Sequence, residues 1–289
     1  MEYIVNELSL MGQYEDVEEF LEVGLPSFMG VMNDIQNADS SLHIFKKADL
    51  YDSNVTDDVK LNNLIWDEKY RIYDSLKKFK SQLANLVNRG PFWDEAFQQS
   101  YDTSYFRING NSVNVAGSSV AEAFVREDCL VSFRKSDYEV DSVHITDGNE
   151  EKSISNFYRE RQVLDFLLES DQLPYKLYIE NAFNRKLNFN EISHREGLNL
   201  ITKDNFNLFE SSFSKFETLT WNQIRVDDGL DYKEFHRNRY TKDYFRPDQW
   251  DKTIMKFRVN DRIRCYGYRR GDAFYVLRID LDHHLSDLG

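Results

Sequence analysis

The chain has 289 residues, of which 41% are hydrophobic and 15% aromatic. This composition supplies the core of one large or two ordinary domains and excludes a disordered acidic protein. Fifty acidic residues against 36 basic ones give a net charge of −14, so general coating of nucleic acid is excluded. Four prolines and twelve glycines favour long regular elements with few linkers.

The cysteines and the absence of targeting patterns predict a cytoplasmic protein. Cys129 and Cys265 lie in apolar, strand-like runs, and a secreted chain of this length usually carries more cysteines, so we expect buried free thiols. The sequence shows no Cys/His ligand spacing and no glycine-rich phosphate loop, so neither a metal nor another cofactor is predicted. No apolar run approaches 18 residues, and no membrane contact is expected.

The first half of the chain mixes strand and helix patterns. Short strands are predicted at residues 3–5, 42–46, 130–133 and 140–145, with residues 8–10 extending the first, and a hairpin at 105–115 turns on Asn109-Gly110. An amphipathic helix begins near Tyr14, and Ser119 with Glu122 forms a capping-box pattern. The strongest helix covers residues 67–88, and its apolar stripe is predicted to be core: Ile72, Leu76, Phe79, Leu83 and Leu86.

The second half reads as helical before it closes on strands. The helical pattern starts at Asn156, and a ladder of phenylalanines at 206, 209, 213 and 216 marks another core-facing helix. A polar, turn-forming stretch near Glu150 suggests domains at 1–150 and 151–289. The predicted fold class is α+β. Helices cover antiparallel strands in an N-terminal mixed α/β region, and a helix-rich second half closes on a small antiparallel sheet.

Residues 232–270 form a basic segment on an acidic chain. They contain twelve lysines and arginines against five acidic residues, a balance of +7, so the other 250 residues carry −21. Such a segment indicates either an anion site or an internal electrostatic clasp. Alternating runs that begin in this segment and continue beyond it predict strands around residues 256–259, 262–268 and 273–284.

The register of the terminal hairpin carries the prediction of an anion site. The apolar face should hold Phe257, Val259, Ile263, Cys265, Leu277 and Ile279. Keeping that face in register pairs Ile263 with Ile279 and needs an odd loop or a bulge near Gly271, a natural left-handed residue. Arg264 would then lie opposite Arg278. Two like charges in that arrangement are costly unless an anion or a carboxylate lies between them.

The arrangement of these strands resembles the closing sheet of RelE/ParE-type toxins. The similarity covers about 35 residues, from Lys256-Phe-Arg-Val through Arg262-Ile-Arg to the pair His283-His284, with residues 232–240 as one possible preceding helix. The resemblance implies a metal-independent ribonuclease. Arg262 or Arg264 would bind phosphate, and Tyr268 or His284 would transfer a proton.

The candidate site residues extend this resemblance to the rest of the basic segment. The catalytic candidates are His236, Arg264, Tyr268 and His284, and the RNA- or anion-binding candidates are Lys233, Arg237, Arg258, Arg262 and Arg278. His236 is included because its neighbours are cationic, although a surface histidine on a basic helix is the simpler interpretation. No metal site is predicted, because adjacent histidines on a strand point to opposite faces.

Two functions from different classes remain open. The opening Asn6-Glu7-Leu8-Ser9-Leu10-x-Gly12-Gln13 and the Pro91-Phe92-Trp93 corner look like uncharacterised proteins of bacterial phage-defence islands. The first hypothesis is therefore a toxin-like effector that binds and cleaves RNA, with an antitoxin or another protein as partner. The alternative is a non-catalytic adaptor of a defence complex. Its acidic surface would dock a basic or ATPase partner, and its terminal hairpin would add to that partner's sheet.

Overall fold

The computed structural model describes residues 2–96, 106–108 and 114–285. The chain divides into two compact units, Met1–Phe166 and Leu167–Gly289, here called unit 1 and unit 2. Both units combine a sheet with packed helices, which confirms the α+β prediction. The predicted boundary near Glu150 falls inside unit 1, in the turn of a hairpin whose strands pair from Ser142↔Ser155 to Thr146↔Glu151.

Among the described residues, unit 1 contains a six-stranded mixed sheet in the order β2-β1-β4-β6-β5-β3. The strands are β1 Tyr3–Asn6, β2 Ile44–Phe45, β3 Arg107–Ile108, β4 Cys129–Ser132, β5 Ser142–Thr146 and β6 Glu151–Phe157. β1 runs parallel to β2 and β4, and β4 runs parallel to β6. The prediction of antiparallel strands is wrong for this centre. β1 and β4 are buried throughout, as parallel strands covered on both faces must be.

The helices of unit 1 include the one that the sequence marked most strongly. They are α1 Val17–Glu19, α2 Leu25–Ala38, α3 Leu61–Trp66, α4 Asp74–Asn88, α5 Trp93–Ala96 and α6 Ser119–Arg126. Leu76, Phe79, Leu83 and Leu86 of α4 are buried, which confirms the core stripe. Ile72 is 73% exposed, so its inclusion was wrong. It ends a separate 3₁₀ turn, and the extended backbone of Tyr73 starts a new helix after it.

Several element boundaries of unit 1 differ from the sequence patterns. Residues 7–9 form a 3₁₀ turn rather than a strand, and α1 begins later than predicted because Asp16 caps it through the Glu19 amide. Ser118, not Ser119, caps α6 by accepting from the Ala121 amide. β6 occupies residues read as a turn and a helix start. The Asn109-Gly110 turn lies outside the described residues.

Among its described residues, unit 2 has a five-stranded sheet in the order β7-β11-β10-β9-β8. The strands are β7 Leu187–Asn188, β8 Lys233–Glu234, β9 Met255–Arg258, β10 Arg264–Arg270 and β11 Ala273–Asp280. β7 is parallel to β11 and the other pairs are antiparallel. The helix expected at residues 232–240 is replaced by β8 and a loop. β10 and β11 are both interior strands, so the hairpin cannot add to a partner's sheet as the adaptor hypothesis required.

The phenylalanine ladder packs under this sheet. The remaining helices are α7 Gln162–Glu169, which spans the division between the units, α8 Tyr175–Ala182, α9 Phe206–Thr218 and α10 Trp221–Val226. The four ladder residues lie on α9 and are buried, as predicted, and the ring of Phe216 is 4.6 Å from that of Phe257 on β9. Aromatic rings therefore join the helix to the sheet.

Both cysteines are free and buried, which confirms their prediction. Burial, followed by the nearby Asp128 charge, raises the pKa of the Cys129 thiol to about 12. Within the described residues, every helix is too short or too polar to cross a membrane.

Candidate functional site

The terminal hairpin forms, but in a different register. β10 and β11 pair Arg264 with Asp280 and Cys265 with Ile279. The expected pairing of Arg264 with Arg278 is therefore wrong, and Arg278 lies opposite Tyr266. Gly271 does adopt the left-handed conformation expected of it, with φ +63° in the tight turn.

A bulge at Gly267 sets the observed register. The pairing shifts by one residue between Tyr266 and Gly267, which leaves Leu277 as the extra residue of β11. A Cβ at Gly267 would lie 2.1 Å from the Tyr275 carbonyl oxygen, so the close approach of the strands requires glycine. Leu277 packs with Tyr266 and Tyr268 instead of sharing the Phe257 face.

The face predicted to be open to solvent is covered by a second small core. This cluster contains Phe235, Phe245, Ile254, Tyr266, Tyr268, Leu277 and Leu285. Arg264, Arg278 and Asp280 on the same face are only 5–8% exposed. The loop between β8 and β9 thus covers the sheet where RNA was expected to bind.

Arg264 does lie opposite another arginine, but on the neighbouring strand β9 and not on β11. Arg264 lies opposite Arg258 of β9, and its Nη1 donates to the carbonyls of Asn260 at 2.6 Å and Ile263 at 3.0 Å. Burial, then the Arg258 charge, lowers the Arg264 pKa. The compensating carboxylate is Asp231, whose Oδ2 is 3.3 Å from Arg258 Nη2.

Lys233 belongs to the same cluster because it also contacts Asp231. Lys233 Nζ is 2.9 Å from Asp231 Oδ2. Partial burial opposes ionisation of Asp231, but the hydrogen bond from Lys233 and the charges of Arg258 and Arg264 outweigh it and lower the pKa. Two of these cations, Arg258 and Lys233, therefore pair with a carboxylate of the protein itself, as in the internal clasp that the sequence left open.

Two further candidates hold the covering loop in place. Arg278 Nη1 donates to the Tyr244 carbonyl at 2.5 Å, and its Nη2 forms an ion pair with Glu196. Burial lowers the Arg278 pKa to about 10. Arg237 donates to the backbone carbonyls of Gln249, Trp250 and Lys252, at 2.7–3.2 Å. Both guanidinium groups thus act as structural clamps on carbonyl oxygens.

His236 and Arg262 lie away from these clamps. The His236 side chain is 83% exposed, with Nδ1 3.4 Å from Glu234 Oε1. It lines a shallow cavity of about 610 Å³ together with Arg239, Trp250 and Lys252. Arg262 is exposed in the turn between β9 and β10. The nine predicted residues are therefore not assembled into one site.

Tyr268 and His284 each contact a residue that lines a larger cleft of unit 2, here called the asparagine cleft, although neither of them lines it. It has a volume of about 810 Å³, and side-chain amides are prominent in its lining: Asn184, Asn188, Asn190, Asn199 and Gln249. Glu191, Tyr244 and Arg246 also line it. Tyr268 donates its hydroxyl to Glu191 Oε1 at 2.8 Å, and His284 Nε2 lies 3.3 Å from the Tyr244 hydroxyl.

The charges of the asparagine cleft are loosely paired. Arg246 Nη2 is 3.7 Å from Glu191 Oε2, and Lys176 Nζ is 3.8 Å from Glu180 Oε1. Burial, then the hydrogen bond to Glu191, raises the Tyr268 pKa to about 12, so the tyrosine stays protonated at neutral pH. Tyr268 therefore holds the Glu191 carboxylate by a hydrogen bond from a protonated hydroxyl.

Sequence reasoning missed the cleft because its lining comes mainly from a loop. Residues 184–199 contain four asparagines in sixteen positions, together with Glu191 and His194, and this local enrichment was the available signal. Tyr244 and Arg246 are far away in sequence and join them through the loop that covers the sheet.

No group of three or more His, Cys, Asp or Glu side chains within the described ranges is arranged to hold a metal ion. Comparison with known proteins gives no match: no family model, no curated protein and no solved structure is similar to this chain.

Proposed function

We propose that unit 2 binds single-stranded RNA and holds one nucleotide in the asparagine cleft. The observation that carries the proposal is the amide lining of a cleft of about 810 Å³, a size typical of small-ligand sites. Amide side chains both donate and accept hydrogen bonds, and they read base edges in nucleic-acid complexes. The half-buried Tyr244 adds aromatic surface on which a base can stack.

Phosphate binding in this proposal falls to Arg246. Its guanidinium side chain is 57% exposed, and its distances to carboxylate oxygens of Glu191 and Asp248 are 3.7 and 3.4 Å. These separations are longer than a charge-assisted hydrogen bond, so an incoming phosphate can compete for the guanidinium. Arg278 and Arg237, by contrast, are committed to carbonyl oxygens of the protein.

The cleft also offers the groups for metal-independent cleavage. Glu191 would take the proton from a ribose 2′-hydroxyl, whose oxygen attacks the adjacent phosphorus while Arg246 offsets the charge on the phosphate. The bond to the 5′ oxygen breaks, and His194, an exposed residue of the lining, would protonate that leaving oxygen. The products are a 2′,3′-cyclic phosphate and a 5′-hydroxyl. Growth arrest by a toxin-like effector in phage defence would follow from this activity.

The proposal is tested with the full chain and a short, fluorescently labelled single-stranded RNA. Fluorescence anisotropy over a range of salt concentrations should show salt-dependent binding by the wild type. Arg246→Ala should weaken it about tenfold and reduce the salt slope by about one phosphate contact. Glu191→Gln should still bind RNA but lose cleavage to the cyclic phosphate.

Arg262→Ala is the matched control, because Arg262 is an exposed arginine outside the cleft lining. It should bind RNA like the wild type. Binding that is lost in Arg262→Ala and kept in Arg246→Ala would move the site to the β9–β10 turn. A wild type without salt-dependent binding contradicts the RNA proposal altogether.

The distribution of charge supports a second candidate, the adaptor. Unit 1 contains 30 acidic and 16 basic residues and so carries the whole net charge of −14. A surface of that charge favours a basic protein partner. Overexpression separates the two candidates: the effector arrests growth and its Glu191→Gln variant does not, whereas an adaptor leaves growth unchanged in both forms.

A further inference from the structure

The sheet of unit 1 has a topological switch point between β1 and β4. From β1 the chain moves to one neighbour, β2, and later returns to the other neighbour, β4, with all three strands parallel. In open sheets of this kind, ligands bind outside the carboxyl ends of the strands where the order reverses. The relevant edge of unit 1 follows Asn6 and Ser132.

Buried polar side chains gather at this edge. Asn6, Ser132 and Asn156 have no measurable exposure. Asn6 Nδ2 donates to Ser132 Oγ at 2.9 Å, and Ser132 Oγ donates to Asn156 Oδ1 at 2.6 Å. Asn156 Nδ2 in turn donates to the carbonyls of Tyr138 and Val140, each at 2.8 Å. The network fixes the loop after β4 beside the strand ends.

A cavity of about 660 Å³ opens at the same edge, here called the switch-point cavity. Its charged lining residues are Glu7, Lys47 and Asp137, and its apolar walls include Leu8, Met11, Ile108, Val115 and Val140. Glu7 directly follows β1 and is 8% exposed. Lys47 Nζ lies 3.3 Å from Asp49 Oδ2, which offsets part of its charge, and the remaining charge acts on Glu7.

At such an edge an anion usually binds to the amides at the start of a helix, and here the carboxylate of Glu7 takes that position. The amide of Ser119, in the first turn of α6, donates to both carboxylate oxygens of Glu7, at 3.0 and 3.3 Å. A phosphate in that place would meet the Glu7 charge. The carboxylate keeps further lone pairs for a donor that enters the cavity.

We propose that the switch-point cavity binds a small molecule with an apolar body and a protonated amine, and that Glu7 accepts the amine. The apolar walls take the body of the ligand, and Glu7 and Asp137 supply the negative charge that selects the head group. Burial raises the pKa of Glu7. A cation therefore stabilises the charged form of a carboxyl group that water cannot fully solvate. This site in unit 1 is independent of RNA binding by unit 2.

The test compares three probes that share a six-carbon chain and differ in their polar group: hexylamine, hexanol and hexanoate. Met11 lines the cavity and is 68% exposed, so its ¹³C-labelled methyl group reports occupancy, with Met11→Leu to assign the signal. Hexylamine should shift this signal with a Kd in the millimolar range, about tenfold tighter than hexanol. Hexanoate should leave it unmoved.

Glu7→Gln should remove the advantage of hexylamine over hexanol. Glu139→Gln is the matched control, an exposed acid outside the cavity lining, and should bind hexylamine like the wild type. If the other methionine signals show that Glu7→Gln is unfolded, Asp137→Asn replaces it and should weaken hexylamine selectively. Equal shifts by the amine and the carboxylate, no shift by hexylamine, or an unchanged preference in the folded variant would overturn the proposal.

Discussion

The two units handle charge in opposite ways. Unit 1 has 30 acidic and 16 basic residues, whereas unit 2 has 20 of each and is neutral. The basic balance of +7 in residues 232–270 is cancelled by a balance of −7 in the rest of unit 2. Part of this cancellation is made by ion pairs, since Lys233 and Arg258 contact Asp231 and Arg246 lies 3.7 Å from Glu191. The excess charge of the protein belongs to unit 1.

The units differ also in the sign of the charges that they bury. Among the described residues, the buried charged side chains of unit 1 are mainly acidic: Glu7, Glu122, Asp128 and Lys46. Unit 2 buries two arginines, Arg264 and Arg278, together with Glu217 and Asp280. A buried charge deprived of its partners is costly, so we expect unit 2 to depend on the contacts of its arginines and unit 1 to be sensitive to the ionisation of buried acids as well as to apolar packing.

The largest effect is expected in the core of unit 1. Leu76 is 1% exposed, so Leu76→Ala should lower the free energy of unfolding by about 2–5 kcal/mol through lost burial and a cavity. Hydrogen exchange of peptides within Met1–Phe166 should report the loss. Ile72→Ala removes an exposed side chain just before the same helix and should change stability by less than about 0.5 kcal/mol. Equal effects would show that α4 does not pack as described.

In unit 2, Arg264→Ala should destabilise the fold by about 2–3 kcal/mol. The change deprives the Asn260 and Ile263 carbonyls of a donor and removes one of the positive charges that act on Asp231. A loss of stability is the outcome expected of the internal clasp, which the sequence left open beside the anion site. Thermal unfolding of Arg264→Ala and of the exposed control Arg262→Ala measures the difference. If the melting temperature is unchanged in both variants, the contacts of Arg264 do not stabilise the fold as described.

The smallest effect concerns pH and the crowding of acids in unit 1. Burial, and the nearby Glu160 and Asp165, raise the pKa of Asp34 to about 6, although Asp34 accepts the Arg161 amide at 2.7 Å. The folded state holds this proton more tightly than the unfolded state. The stabilisation is complete below about pH 4 and is lost as the pH rises through 6.

Asp34→Asn keeps an acceptor for the Arg161 amide and removes the charge. It should raise stability above pH 6 by about 1–2 kcal/mol and flatten the pH dependence of unit 1 between about pH 4 and 6. Denaturant unfolding at several pH values provides the measurement. A pH profile that stays parallel to that of the wild type would exclude Asp34 as the titrating group.

Local patterns in the sequence were sufficient for elements that bury one continuous stripe. The spacing of Leu76, Phe79 and Leu83 indicates a helix face, and the phenylalanine ladder indicates another, because a helix brings residues three and four apart onto one side. Gly271 in the hairpin turn and the two buried cysteines were also predictable from their immediate neighbours. Each of these conclusions depends on residues that are close along the chain.

The parallel direction of the central strands in unit 1 could not be predicted from residues that are close along the chain. β1 pairs with β4 about 126 residues later, from Tyr3↔Cys129 to Asn6↔Ser132. Parallel strands buried on both faces usually read as continuous apolar runs, but β1 and β4 have only four residues each and end in the buried polar residues Asn6 and Ser132, so their sequences did not reveal the parallel pairing. The switch-point cavity follows from that order and was equally invisible to local patterns.

The sequence by itself determined that this protein would have amphipathic helices, a terminal hairpin and a basic segment with an acidic remainder. Tertiary structure decided what those features mean. Gly267 allows a close approach to the Tyr275 carbonyl, and the bulge at this point shifts the register by one residue, so that Arg264 lies opposite Asp280 rather than Ile279. The loop between β8 and β9 then covers the cationic face. The physical reason is that register and burial depend on contacts between distant residues, whereas charge counts and periodicity are properties of neighbours.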